Sequence, residues 1–145
     1  MHLSCDGRGR PLSVLLTPGQ RNDGTQLFAL LDAIGVPREG GGRARKRPDR
    51  LLADRGYSKD LYRRELRARG IPHTIPERSK DRKLRAERPG RPVHFDAELY
   101  AKRNVVERCV GRLKQWRSVA TRYEKRAVNY RAVVLIASLM IWLSP

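Results

Sequence analysis

The chain has 145 residues, 32 of them Lys or Arg and 15 Asp or Glu, for a formal net charge of +17. That length allows one domain around a modest core, and the basic excess favours a polyanionic partner, of which nucleic acid is the commonest. Two cysteines, Cys5 and Cys109, without C-x-x-C spacing argue against a zinc site or a disulfide framework.

His2 to Cys5 is a strand candidate. Asp6-Gly7-Arg8-Gly9-Arg10 reads as a hairpin turn, with glycine supplying positive φ. Pro11 to Thr17 returns as a second strand with Leu12, Val14 and Leu16 on one face, and Pro18-Gly19 ends it. Asn22-Asp23-Gly24-Thr25 offers helix caps to an amphipathic helix carrying Leu27, Leu30, Leu31 and Ile34, which Gly35 and Pro37 stop. Arg38 to Arg50, rich in Gly and Arg, reads as a basic loop, either a solvated linker or a DNA-backbone contact. Leu51-Leu52-Ala53 is a short buried strand closed by Asp54. Ser58 is placed to cap a second helix with Asp60 in its first turn. Leu61, Tyr62, Leu66 and Ala68 form its inner side, and Gly70 and Pro72 end it. Ile71 to Ile75 is again strand-like, at an edge or a strand start because of Pro72.

Residues 77–93 are nearly all charge and helix breakers, and read as an exposed basic insertion with little fixed structure. Asp96 then caps a long helix, with Phe95 and Tyr100 positioned as a hydrophobic staple. The spacing of Val105, Val106, Cys109, Leu113 and Trp116 predicts that this helix runs to Trp116 or Val119. After a basic stretch, Ala132 to Leu143 is a C-terminal apolar run. It is shorter than the roughly 20 residues of a membrane span and reads as a buried helix. Met1-His2-Leu3-Ser4 carries no secretory signal. A reduced, cytoplasmic protein acting on the chromosome is expected. The order strand, strand, helix, strand, helix, strand, helix, helix fits an α/β domain with helices against a small sheet.

The helix beginning at Asp96 carries the functional signal. With Tyr100 at zero and about 100° per residue, Arg103 falls near −60°, Glu107 near −20° and Lys114 near −40°, roughly opposite the apolar set. A charged helix face is usually no more than a solvated one. The spacing Tyr-x2-Arg-x3-Glu-x6-Lys, however, resembles the signature of bacterial insertion-sequence transposases of the DDE class. RNVVERCVGRLKQWRSVATRYEKRA around it is similar to that family, as are HLSCDGRGRPLSVLLTPGQRND and LLADRGYSKD upstream, so the resemblance covers nearly the whole chain.

The resemblance implies an RNase H-like mixed sheet flanked by helices, and a bacterial, chromosome-associated protein. It maps Asp54 and Glu107 onto the second and third catalytic acids, with Asp54 at a strand end facing Glu107. Taken alone, Asp54 reads first as a turn residue capping the next segment. Phosphodiester cleavage and strand transfer use two hard cations, and hard cations need carboxylate oxygens, so Asp54 and Glu107 are metal ligands for Mg²⁺ or Mn²⁺. Arg103 and Lys114, about 6 Å before and 10 Å after Glu107 along the axis, are assigned to DNA phosphates, with Tyr100 beside them. The implied partners are transposon-end and target DNA, with an upstream-encoded transposase segment and a homodimer compatible with the pattern; no membrane is implied.

The family's first catalytic Asp lies on a strand before the one that opens this chain. The expectation is therefore an N-terminally truncated catalytic domain over residues 1–145, with its first strand missing, a helical part over 96–143, and no turnover by the chain alone. Asp6 is the early acid that could stand in. A frameshift-split frame, a mis-called start and a decayed copy all remain open. The competing expectation is a non-catalytic basic nucleic-acid-binding module, or an inactive remnant of the family. Scattered His2, His73 and His94 support no hydrolase triad, and neither a Walker A motif nor a dinucleotide loop occurs.

Overall fold

In the computed structural model, residues 1–18, 23–87 and 95–144 are described, without the side chains of Asp23 and Arg85. Asn22 as a helix cap, Gly19, residues 88–93 of the basic insertion and His94 lie outside the described residues. The elements are β1 (His2–Cys5), β2 (Pro11–Leu15), α1 (Leu27–Asp32), β3 (Leu51–Leu52), α2 (Asp60–Ala68), β4 (His73–Thr74), α3 (Ser79–Ala86), α4 (Ala97–Ala101), α5 (Asn104–Lys114), α6 (Arg117–Thr121) and α7 (Ala127–Leu143). A 3₁₀ turn, Asp23–Gln26, leads into α1, and another, Arg55–Tyr57, follows β3. This is a mixed α/β protein. Among the described residues its strands form two separate two-stranded ladders rather than one sheet. The chain divides into two compact units, residues 1–46 with 104–145, and residues 47–103.

In the first unit β1 and β2 pair antiparallel, Leu3 opposite Val14 and Ser4 opposite Ser13, with an irregularity after Ser4. Gly9 supplies the positive φ, +78°, that closes the turn. The sheet is tied into the unit by polar bonds. Ser13 Oγ donates to Leu30 O at 2.8 Å, and Trp142 Nε1 donates to Pro11 O at 2.7 Å. Val14, Cys109, Leu113, Val119, Tyr130, Val134, Ala137 and Ile141 form the core, with Leu3, Cys5 and Leu16 packed against it. The Cys5 thiol hydrogen-bonds that of Cys109, which together with burial holds Cys5 protonated far above the ordinary thiol range.

The C-terminal apolar run is not buried all round. Helix α7 buries Tyr130, Val134, Ala137, Ser138 and Ile141, while Leu135, Ile136, Leu139 and Leu143 are exposed. An uninterrupted apolar run has no polar stripe to mark which side faces water. No helix among the described residues is long and apolar enough to cross a membrane.

The second unit is built on a strand–helix–strand crossover. β3 and β4 pair parallel, Leu51 with His73 and Leu52 with Thr74, which requires a connection such as α2 between them. At the end of α2, Gly70 N donates to Arg67 O at 2.9 Å and Ile71 N to Leu66 O at 2.8 Å. With Gly70 at φ +64° this is a Schellman ending. A Cβ on Gly70 would meet Arg47 Nη1 at 3.0 Å, the far end of a flexible exposed side chain that can move aside, so the positive φ is what favours glycine there. The inner side of α2 differs from the sequence expectation: Tyr62, Arg63 and Leu66 are buried, while Leu61 is 70% exposed.

Candidate functional site: the Asp54 turn and the Tyr100–Lys114 helices

Asp54 lies two residues past the end of β3, after Ala53, and caps the 3₁₀ turn. Its Oδ1 accepts from Gly56 N at 2.5 Å, and its carbonyl accepts from Tyr57 N at 3.0 Å. The side chain is exposed, and only Oδ1 is engaged among the described residues. Asp54 is thus a turn cap, and one carboxylate oxygen remains for another role.

The turn is held from outside as well. Arg63 Nε donates to Ser58 O at 3.2 Å and Arg78 Nε to Arg55 O at 3.2 Å. Ser58 Oγ donates to Asp81 Oδ2 at 3.1 Å. This corrects two expectations. Ser58 does not cap α2, whose N-cap is Lys59 without a side-chain bond; it ends the preceding turn and is buried. Nor is the basic insertion without structure, because Ser79–Ala86 form α3. Lys, Arg, Leu and Ala are good helix formers, and Asp81 meets the positive end of the helix dipole.

Asp96 caps α4 as expected, its Oδ1 accepting from Leu99 N at 2.9 Å. Phe95 and Tyr100 form the staple, ring centroids 5.3 Å apart at 56°. The long helix, however, is broken. Lys102 N reaches Leu99 O at 3.2 Å and Arg103 N reaches Tyr100 O at 2.9 Å, so i→i+3 bonds tighten the chain out of the α-helix. Asn104, Val105 and Val106 are middling helix formers that do little to bridge such a break. α5 then starts afresh at Asn104 and ends at Lys114, short of Trp116.

The four-residue row is therefore two pairs. Tyr100, in the last turn of α4, is half-buried, and the Arg103 guanidinium carbon lies 5.5 Å from its ring centroid, a cation–π contact. Glu107 and Lys114, both exposed, share one face of α5 two turns apart, roughly 10 Å along the axis. Glu107 in the first turn and Arg112 and Lys114 in the last also match the helix dipole. Asp54, Tyr100 and Arg103 belong to the second unit, Glu107 and Lys114 to the first. Asp6 is fully occupied: Oδ1 accepts from Arg8 N at 3.0 Å and Arg10 N at 2.9 Å, and Oδ2 from Arg10 Nε at 2.7 Å.

The expected cationic surfaces are exposed. They comprise Arg43, Arg45, Lys46, Arg47 and Arg50 in the loop before β3, Lys80, Arg82 and Lys83 on α3, and Lys114, Arg117, Arg122, Lys125 and Arg126. Buried Arg63 is the residue that sequence reasoning missed. On a helical wheel it stands about 60° from Leu66, and that angle was the available signal.

Residues 1–143 match the family described as the transposase DDE domain. The chain is 34% identical over 140 residues to a protein from Burkholderia cepacia named as a transposase for insertion sequence element IS402, covering 97% of this chain and 60% of that protein. It is 29% identical over 143 residues to one from Brucella ovis named as a transposase for element IS6501, covering 99% of this chain and 96% of that protein. No solved structure matches significantly. With its DDE match running from β1 to the end of α7, the chain belongs to the DDE transposase family of bacterial insertion sequences.

Proposed function

We propose that this chain serves DNA transposition, contributing to metal-dependent cleavage and strand transfer at insertion-sequence ends. The observation that carries this is the match of residues 1–143 to the transposase DDE domain. In this reading the ladders and helices belong to an RNase H-like arrangement, with the basic segment 77–93 as an insertion and 96–143 as its helical part. Asp54 and Glu107 are two of the metal-binding acids, and Asp6, whose oxygens are taken by its own hairpin, is not a third. The donor chemistry suits Mg²⁺ or Mn²⁺, since both residues offer hard carboxylate oxygens on exposed side chains. When bound, such ions activate the attacking oxygen of a phosphodiester reaction and stabilise the leaving one.

Asp54 keeps Oδ2 for this purpose while Gly56 fixes Oδ1. Arg103 and Lys114 bind and orient DNA phosphates, with Tyr100 supporting the Arg103 guanidinium. The proposed partners are transposon-end and target DNA in a bacterial cytoplasm. Protein partners to seek are a second copy of the chain and an upstream-encoded transposase segment.

The test is Mn²⁺ affinity in Asp54→Asn, Glu107→Gln and the double variant, beside a nicking assay on DNA carrying the element's ends. Each single change should weaken Mn²⁺ binding. The double variant should bind Mn²⁺ no better than either single one. DNA affinity should fall by orders of magnitude between about 50 and 200 mM salt if six or more phosphates are neutralised. Salt-sensitive DNA binding with Mn²⁺ affinity untouched by both substitutions would leave a non-catalytic basic module instead.

A further inference from the structure

Arg63 is 2% exposed. Burying a guanidinium is expensive unless its N–H groups find acceptors. Here Nε donates to Ser58 O at 3.2 Å and Nη2 to Ile75 O at 2.7 Å. The first carbonyl closes the turn that Asp54 opens, and the second lies one residue beyond β4, the strand paired with the one that delivers Asp54. One planar side chain therefore joins the Asp54 turn to the neighbouring strand. Two further tethers, from Arg78 and Asp81, come from α3 and its approach and bond the turn.

We propose that Arg63 is a positioning residue for Asp54: by clamping the Ser58 and Ile75 carbonyls, it fixes the turn whose Gly56 N–H orients the Asp54 carboxylate. The metal half of the proposal rests on the function proposed above; the hold on the turn does not. A guanidinium donates along two edges at a fixed angle, whereas an ammonium is a point donor on a flexible stem. Loosening the turn lets the carboxylate rotate, and apparent metal affinity falls with the fraction of time Oδ2 is correctly presented.

Two measurements test this. In the unsubstituted chain, the Gly56, Tyr57 and Ser58 amides should exchange with deuterium at least about tenfold more slowly than those of Gly40 and Gly42 in the basic loop. In Arg63→Lys and Arg63→Gln the same three amides should exchange at least about tenfold faster while Val134 in the other unit is unchanged. Mn²⁺ should bind about fivefold or more weakly in these variants, with DNA affinity within about twofold. A role in packing alone would lower the melting temperature without singling out these amides or Mn²⁺.

Fast exchange of the turn in the unsubstituted chain overturns the proposal, and decides the matter even if neither variant folds. So does a folded Arg63→Lys that keeps both turn protection and Mn²⁺ affinity. If Asp54→Asn weakens Mn²⁺ binding while a loosened turn in the Arg63 variants does not, positioning fails and the metal role of Asp54 stands. If Asp54→Asn itself leaves Mn²⁺ binding unchanged, the metal role falls, and exchange still reports whether Arg63 holds the turn.

Discussion

Both carboxylate oxygens of Asp6 are taken by Arg8 and Arg10. Burial pulls the group upward, but the Arg10 backbone and guanidinium bonds and the Arg8 N–H outweigh it and hold the carboxyl below its ordinary value. A depressed carboxyl stabilises the fold above its unfolded pKa, about 3.9, and the contribution is lost as pH falls through the lower folded value. His73 acts in the same direction from a different cause. Burial, with Arg63, Arg67 and Arg50 nearby, lowers its pKa against the opposing Ile71 carbonyl bond, so its contribution is complete above about pH 6.5 and drains as pH falls. Asp6→Asn should therefore flatten the acid limb of a pH–stability curve below about pH 4, and His73→Gln the limb below about pH 6.5; thermal melts across pH 3 to 8 check both. At this scale the sequence was most readable where a single side chain meets local backbone. Asp96 as a cap, the Phe95–Tyr100 staple and Gly70 as a helix end all depend on neighbours within five residues. The wheel position of Arg63 was readable but its bonding was not, because its acceptors, Ser58 and Ile75, converge only after the crossover has folded.

Among elements, α2 carries the second unit. It supplies the connection that lets two-residue strands pair in parallel, and it buries Leu66 completely. Leu66→Ala should destabilise the unit by about 2–5 kcal/mol, while Leu61→Ala, 70% exposed, should change stability by no more than about 0.5 kcal/mol. Denaturant titration followed by far-ultraviolet circular dichroism separates the two. Helical periodicity correctly predicted that α2, α5 and α7 exist, but overran the end of α5, which stops at Lys114, and misjudged what α2 and α7 cover. The break at Lys102–Arg103 replaces one hydrogen-bond pattern with another and leaves no Pro or Gly to announce it. α3 went unseen because its face toward the turn is polar: Asp81 holds it there, with no apolar stripe.

At the scale of the whole molecule, the +17 charge and the exposed basic segments were legible from composition, whereas the division into two units was not. The first unit is assembled from the two ends of the chain, residues 1–46 and 104–145, with the second lying between them in sequence. Val14 on β2 and Ile141 on α7 share one core, and Trp142 Nε1 bonds Pro11 O across 131 positions. Contacts so distant in sequence form slowly, whereas the continuous second unit closes over shorter loops. Refolding followed by pulsed hydrogen exchange should show the Leu66 and Ile75 amides protected before those of Val14 and Val134; simultaneous protection would mean the units fold as one. On the ribosome the order of events is stricter still. At roughly 5–20 residues per second, the β1–β2 hairpin waits on the order of 6–26 s for α7 to be made, and through that interval its inner face, Leu3, Val14 and Leu16, has nothing of its own core to lie against.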